Sequence, residues 1–279
     1  MSLTEIQKAR QFFAALMAGA SCTTDPRFEA IVRSVPREDF LGPGPWKIVS
    51  GHRYVDTPGD NPAHLYQNVL VALDADRRIN NGEPFLHARW IGCVAPRPGD
   101  HVSHIGAGTG YYTALLSKFV EPGGHVDAYE IDERLADRAK TNLAAYRNVT
   151  VLAANAVSHA LLPSDVIYVN AGVAELPAAW IRALKPGGRL IFPWCPVRDT
   201  GLALLVTATG PGLQVKPLMP VAFIPCSGAG PTSRLQPELD LQRLGKVRSI
   251  IARDERPPDG TAVADYGDYW FSTETPRAP

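Results

Sequence analysis

The stretch that decides the fold is His101-Val-Ser-His-Ile-Gly-Ala-Gly-Thr-Gly-Tyr111, with Glu130 following it. Residues 101–105 read as a short strand, residues 106–110 as a glycine-rich turn, and residues 111–119 as a helix closed by Pro122-Gly-Gly124. Residues 126–130 are the next strand, and Glu130 ends it. Glycine lets the chain turn sharply and lets a ligand approach the backbone without a Cβ in the way. The start of the helix adds unpaired N–H groups that attract a negative group. An acidic residue closing the second strand, about 20 residues past the glycines, can accept hydrogen bonds from ribose hydroxyls. Strand, turn, helix and strand in that order point to an adenosine-containing cofactor.

The alternation continues outward. Asp132 can cap a helix running to about residue 145. Strands are expected at residues 149–153, 165–169 and 189–192, with a helix at residues 177–184 and a turn at Lys185-Pro-Gly-Gly188. Ile167 and Val169 suit the buried side of the fourth strand. Alternating strands and helices predict a doubly wound, Rossmann-like α/β sheet. Past residue 193 the pattern changes. Residues 202–207 and 220–224 read as strands with Gly210-Pro-Gly212 between them and no helix, which predicts antiparallel last strands at a sheet edge. Three segments are expected: residues 1–98 as a helical and loop layer contributing to the substrate site, residues 99–229 as the cofactor domain, and residues 230–279 as a polar C-terminal extension. Weak strand signals stand at residues 247–253 and 266–273 of that extension.

Composition narrows the function. The 279 residues carry 28 Lys and Arg against 28 Asp and Glu, so no basic excess marks a nucleic-acid binder. No apolar run approaches the roughly 20 residues that cross a bilayer. Residues 12–20 are apolar behind Lys8 and Arg10, faintly like a signal segment, but they read better as the face of an opening amphipathic helix. Cys22, Cys93, Cys195 and Cys226 are scattered, with no C-x-x-C pair. Free thiols in a cytoplasmic protein are the expectation. His101 and His104 lie three apart on a strand and face opposite sides, so they cannot share a metal.

The cofactor class follows from the last glycine position. Dinucleotide enzymes favour G-x-G-x-x-G/A, where a small residue lets helix and strand pack closely. Tyr111 stands at that place, and the G-x-G-x-G pattern is that of S-adenosylmethionine binders. The candidate cofactor residues are Gly106, Ala107, Gly108, Thr109, Gly110 and Tyr111 of the turn, Glu130 and Ile131, Asn155 and Ala156 after the third strand, and Asn170 at the end of the fourth.

At this point the chain resembles the protein-L-isoaspartate O-methyltransferase family. Val35-Pro-Arg-Glu-Asp-Phe40 is similar to that family's N-terminal V-P-R-E-x-F element. His104-Ile-Gly-Ala-Gly-Thr-Gly-Tyr-Tyr112 is similar to its cofactor loop, Tyr129-Glu130 to its ribose segment, and Leu184-Lys-Pro-Gly-Gly-Arg-Leu190 to its L-K-P-G-G-R-L turn. The resemblance runs from about residue 28 to residue 193. It implies a class I methyltransferase sheet of seven strands, the last ones antiparallel, and methyl transfer from S-adenosylmethionine to a carboxylate or other oxygen of a protein, peptide or small molecule.

Two departures bear on the site. The family's G-D element after the third strand, whose Asp accepts from the adenine amino group, is replaced by Asn155, whose amide oxygen also accepts. The family's Ser-x-Pro element, tied to its substrate site, is replaced by Asn80-Asn-Gly-Glu-Pro-Phe-Leu-His-Ala88, where the serine has become Gly82. Asn80, Asn81 and Gly82 are therefore candidate substrate residues, and Tyr66 and Trp194 are either walls of the acceptor pocket or, the reading favoured for aromatic side chains, core packing. A carboxylate acceptor is already an anion and needs no base, whereas a hydroxyl or ammonium acceptor calls for one. Glu83 and His87 are the candidates for that role. Three other readings stand beside this one. They are a methyltransferase for an acceptor outside isoaspartyl repair, a nicotinamide-dependent oxidoreductase, which Tyr111 and the antiparallel strands oppose, and a cofactor-binding protein without catalysis.

Overall fold

The computed structural model describes residues 4–197, 200–230 and 241–276. Numbered along the chain, the first elements are α1 (Glu5–Ser21), α2 (Phe28–Ser34), β1 (Lys47–Ser50), β2 (Arg53–Asp56), β3 (Ala72–Asp74), β4 (Ile79–Asn80) and α3 (Pro84–Val94). Then come β5 (His101–Ile105), α4 (Tyr111–Val120), β6 (His125–Glu130), α5 (Glu133–Asn142), β7 (Val149–Ala153), β8 (Ser164–Val169) and α6 (Ala178–Ala183). The last are β9 (Leu184–Val197), β10 (Thr200–Thr209), β11 (Gly212–Val221), α7 (Leu241–Leu244), β12 (Ser249–Ala252), β13 (Ala262–Asp265) and β14 (Tyr269–Ser272). The chain divides into two compact units, one of residues 1–100 and 107–153, the other of residues 101–106 and 154–279.

The first unit opens with the amphipathic helix the sequence predicts. Thr4 and Gln7 form a reciprocal capping box that satisfies two N–H groups at the start of α1. Phe13, Ala14 and Met17 bury one face of it. The end of α1 lies so close to α3 that a Cβ at Gly92 would stand 2.2 Å from the Ser21 carbonyl oxygen. Phe28 of α2 packs on Phe119 of α4, ring centres 5.2 Å apart. β6 and β7 pair in parallel from Val126 and Val149 to Glu130 and Ala153. Asp132 caps α5, accepting from the Arg134 and Leu135 N–H groups. Where sequence predicts loops, two short antiparallel hairpins stand, β1–β2 and β3–β4. Trp46, Leu41, Leu65 and Val71 form a small apolar cluster there.

The second unit is a mixed sheet in the order β13-β14-β12-β11-β10-β9-β8-β5. β5, β8 and β9 are parallel, and every later pairing is antiparallel. Tyr168, Trp180, Phe192, Trp194, Trp270 and Phe271 are fully buried in it. β5 to β11 are the seven strands the resemblance implies, and β12 to β14 are three more, supplied by the C-terminal extension. β12 meets β11 only at Leu213 and Gln214. Residues 231–240 of that extension lie outside the described residues. No helix among the described residues is long and apolar enough to cross a membrane.

Candidate cofactor and acceptor site

In the first unit the glycine turn and Glu130 form one hydrogen-bonded device. Gly108 has φ +58° and donates its N–H to Glu130 Oε2 at 2.7 Å. The other carboxylate oxygen accepts from the Asp132 N–H at 3.0 Å. Glu130 therefore holds the turn and the start of α5 together, and its backbone donors leave lone-pair capacity on the carboxylate for a ligand hydroxyl. Burial raises the pKa of this carboxyl, against the lowering effect of the backbone N–H donors. Gly110, φ +97°, must be glycine for a further reason: a Cβ there would lie 2.6 Å from Leu143 Cδ1. Ala107 donates its N–H to the Tyr129 carbonyl, and the Thr109 carbonyl accepts from Asn142 Nδ2. Tyr111 turns its ring into the core, edge-on to Phe40 at 5.6 Å, so only its backbone belongs to the turn. Ile131 is half exposed, an apolar side chain beside the carboxylate.

The second unit carries the other expected cofactor residues. Gly106 has φ +77°, and a Cβ on it would touch Asn170 at 3.4 Å. Asn170 extends the β8 edge by donating its N–H to the Ile105 carbonyl. Its Nδ2 lies 2.8 Å from His104 Nε2, while its Oδ1 is buried and has no hydrogen-bond partner among the described residues. Asn155 Oδ1 accepts from the Val157 N–H at 3.0 Å in a local turn and has a second lone pair to offer. Ala156 is buried, its carbonyl fixed by Trp180 Nε1 at 2.9 Å. His101 is half-buried with Nδ1 at the Pro163 carbonyl, and His104 is fully buried, so the two face opposite ways as strand geometry requires.

The segment ahead of the cofactor turn differs from the sequence reading in two respects. Gly82 is not simply a serine that lost its hydroxyl. Its φ is +80°, and a Cβ on it would fall 2.3 Å from His87 Nε2. The imidazole occupies the space a side chain would need, stacked on Tyr112 at 3.8 Å between ring centres. The second correction concerns the proposed base. His87 is buried and sits in a ring stack, and Glu83 is exposed, accepting from Asn68 Nδ2 at 2.6 Å. Both side chains therefore have partners within the chain. Asn80 Oδ1 holds the Gly82 N–H, and Asn81 Oδ1 accepts from the Val71 N–H.

Tyr66 and Trp194 are framework residues rather than pocket walls. The Tyr66 hydroxyl is bonded to Glu38 and accepts from Arg10 Nε at 2.8 Å, and its ring meets Phe13 edge-on. Trp194 Nε1 donates to the Tyr266 hydroxyl at 2.8 Å inside the second unit. Sequence reasoning also passed over what the Val35-Pro-Arg-Glu-Asp-Phe40 element does. Arg37 is wholly buried with its guanidinium on the carbonyls of Leu65, Gln67 and Val69 and on Asn81 Oδ1. Glu38 pairs with Arg10 at 2.7 Å. This element therefore fixes the loop of residues 65–71 and, through Asn81, the segment that follows it. Neither spacing nor polarity marks Arg37 in this element, where Glu38 and Asp39 are charged as well.

Comparison with known proteins bears on the whole of this frame. The family model of protein-L-isoaspartate(D-aspartate) O-methyltransferase matches residues 23–230. A protein-L-isoaspartate O-methyltransferase of Ignicoccus hospitalis is 31% identical over 225 residues, 78% of this chain and 97% of the relative. Protein-L-isoaspartate O-methyltransferase 1 of Cupriavidus necator is 29% identical over 73% of each chain. Among solved structures, one protein-L-isoaspartate O-methyltransferase superposes with a TM-score of 0.67 at 24% identity, over 80% of this chain and 67% of that one. A Plasmodium falciparum structure described as such an enzyme, in complex with S-adenosyl-L-homocysteine, has a TM-score of 0.61 at 17% identity, over 78% and 97%. With the class I methyltransferase strand pattern in place and three-quarters of its length matched, the chain belongs to the protein-L-isoaspartate(D-aspartate) O-methyltransferase family.

Proposed function

We propose that the protein transfers a methyl group from S-adenosylmethionine to a carboxylate oxygen of a protein or peptide acceptor. The observation that carries the cofactor is the Glu130 clamp, a buried carboxylate that holds the Gly108 N–H and keeps lone pairs for ribose hydroxyls. Asn155, Ala156, Ile131 and Asn170 complete the proposed set, with Asn155 Oδ1 as the adenine acceptor. When bound, the cofactor supplies an electrophilic methyl on a sulfonium. The chain's part is to bind, orient and exclude water.

The acceptor class rests on the bonding of Glu83 and His87. A base for a hydroxyl acceptor must reach the proton it removes. His87 is buried against Tyr112 and Gly82, and Glu83 is bonded to Asn68. A carboxylate, already ionised, needs neither. The occupied space at Gly82 favours an acceptor other than the isoaspartyl group that the family's serine serves, and residues 80–87 are the proposed selector. The four cysteines are free thiols, which supports a reducing, cytoplasmic setting.

The test is incorporation of labelled methyl from S-adenosylmethionine into isoaspartyl peptides, ordinary acidic peptides and small carboxylic acids. A base-labile methyl ester is expected, formed poorly on the isoaspartyl peptide. A base-stable product would refute the carboxylate, and efficient isoaspartyl turnover would refute the altered acceptor.

A further inference from the structure

The pairing of His104 with Asn170 has a consequence for ligand recognition that neither residue shows alone. An amide nitrogen donates and never accepts, so the lone pair facing Asn170 Nδ2 belongs to His104 Nε2. The proton of the neutral imidazole is then on Nδ1. Burial alone pushes the pKa of His104 down to about 3, so the ring stays neutral across the working range. Its neighbour Tyr168 holds it edge-on at 5.5 Å. With Nδ2 committed to the ring, the planar amide fixes Oδ1 on the opposite side. That oxygen is buried and lacks a partner among the described residues. An unpaired buried acceptor is costly. It stands beside Gly106, whose φ is positive and where a Cβ would meet Asn170 at 3.4 Å, at the same strand edge.

We infer that Asn170 Oδ1 accepts a hydrogen bond from the α-ammonium of the cofactor's amino-acid end, and that His104 is the positioning residue that aims it. This rests on the proposed S-adenosylmethionine site and deepens it. The donor must be compact, must approach a glycine backbone, and gains most if charged, because hydrogen bonds to charged groups are the stronger ones. An ammonium meets all three conditions. A neutral amide receives it without placing a second charge beside the buried imidazole.

The experiment is calorimetric titration of the full chain with two ligands. S-adenosylhomocysteine carries the ammonium, and 5′-methylthioadenosine has the same nucleoside and thioether but no amino-acid end. In Asn170→Leu, affinity for S-adenosylhomocysteine should fall about ten- to a hundredfold, with methylthioadenosine unchanged. His104→Phe, which frees the amide to turn, should shift the same ligand in the same direction by less. Nitrogen NMR of the wild type should find the His104 proton on Nδ1. Unchanged S-adenosylhomocysteine affinity in Asn170→Leu would overturn the inference, and so would equal losses for both ligands. A wild type that binds neither ligand refutes the cofactor site itself, and the inference falls with it.

Discussion

Replacing Gly82 with alanine should destabilise the protein through two separable effects. The first is the backbone. At φ +80° an L-residue is in the left-handed region, at a cost of about 1–2 kcal/mol. The second is collision. The new Cβ would stand 2.3 Å from His87 Nε2 and 2.7 Å from its Cδ2, so the imidazole must leave its stack on Tyr112. An aromatic pair of that kind is worth about 0.5–1.5 kcal/mol. The sum is roughly 1.5–3.5 kcal/mol. Urea denaturation of Gly82→Ala, His87→Ala and the double variant separates the effects as a double-mutant cycle. In the His87→Ala background the backbone cost, about 1–2 kcal/mol, should remain beside a lesser contact with Tyr112 Cε2 at 3.2 Å. The same cycle bears on function. Gly82→Ser should lower methyl transfer to an isoaspartyl peptide or leave it unchanged, because the hydroxyl cannot enter while His87 is in place. A Gly82→Ala cost that is identical in both backgrounds, or a gain of isoaspartyl turnover in Gly82→Ser, would refute this account.

The cofactor clamp predicts a pH effect with a definite sign. The Glu130 pKa is raised, so as pH falls the carboxyl protonates earlier than an ordinary glutamate near 4.3. S-adenosylhomocysteine affinity measured by calorimetry should therefore weaken on acidification, and Glu130→Gln should weaken it at pH 7 and flatten the profile. A wild-type profile that is flat down to about pH 4 would show that Glu130 is not the acceptor. Asn155→Asp should bind within a few fold of wild type, while Asn155→Leu should lose about 1–3 kcal/mol of binding by removing the oxygen. Equal binding by the leucine variant excludes Asn155 from the adenine. Arg37→Met strips a donor from three backbone carbonyls and from Asn81, and should cost at least about 3 kcal/mol in urea unfolding. A loss below about 1 kcal/mol would mean that water replaces the guanidinium freely.

The parts of this fold legible in the sequence are those whose signals are local. β5, the glycine turn, α4 and β6 stand where the alternation of apolar runs and glycines puts them, and Asp132 caps α5 as expected. β9 and β11 are much longer than the stretches the sequence suggests, because Pro186, Pro193 and Pro217 argue against strands and yet are tolerated here. β11 also begins eight residues before the expected start at Pro220, directly after the Gly210-Pro-Gly212 turn. β13 was missed because Ala262–Asp265 has no alternation to read. The site shows the same division. Glu130 and the glycines are readable from spacing. Gly82 was misread because its reasons, a positive φ and the ring of His87, are set by tertiary packing. The partners of Tyr66 could not be read from sequence, because Arg10 and Glu38 arrive from elsewhere in the chain.

The brief contact between β11 and β12 has a colloidal consequence. Beyond Leu213, Gln214 and the Val215 N–H, which donates to the Arg248 carbonyl, no strand among the described residues pairs with the outer side of β11. Such a rim is a template onto which another molecule can hydrogen-bond and begin a fibre. The sequence blunts it. Pro217 and Pro220 offer no N–H, Lys216 adds an exposed charge, and the register slip opposite Ala203 and Leu204 bends the line of the strand. A shorter chain ending at residue 230 would lose the cover over Leu213, Gln214 and the Val215 N–H while keeping the prolines further along. Its self-association would then begin at the hairpin end of β11, where the apolar residues Leu213 and Val215 are nearest the opened edge.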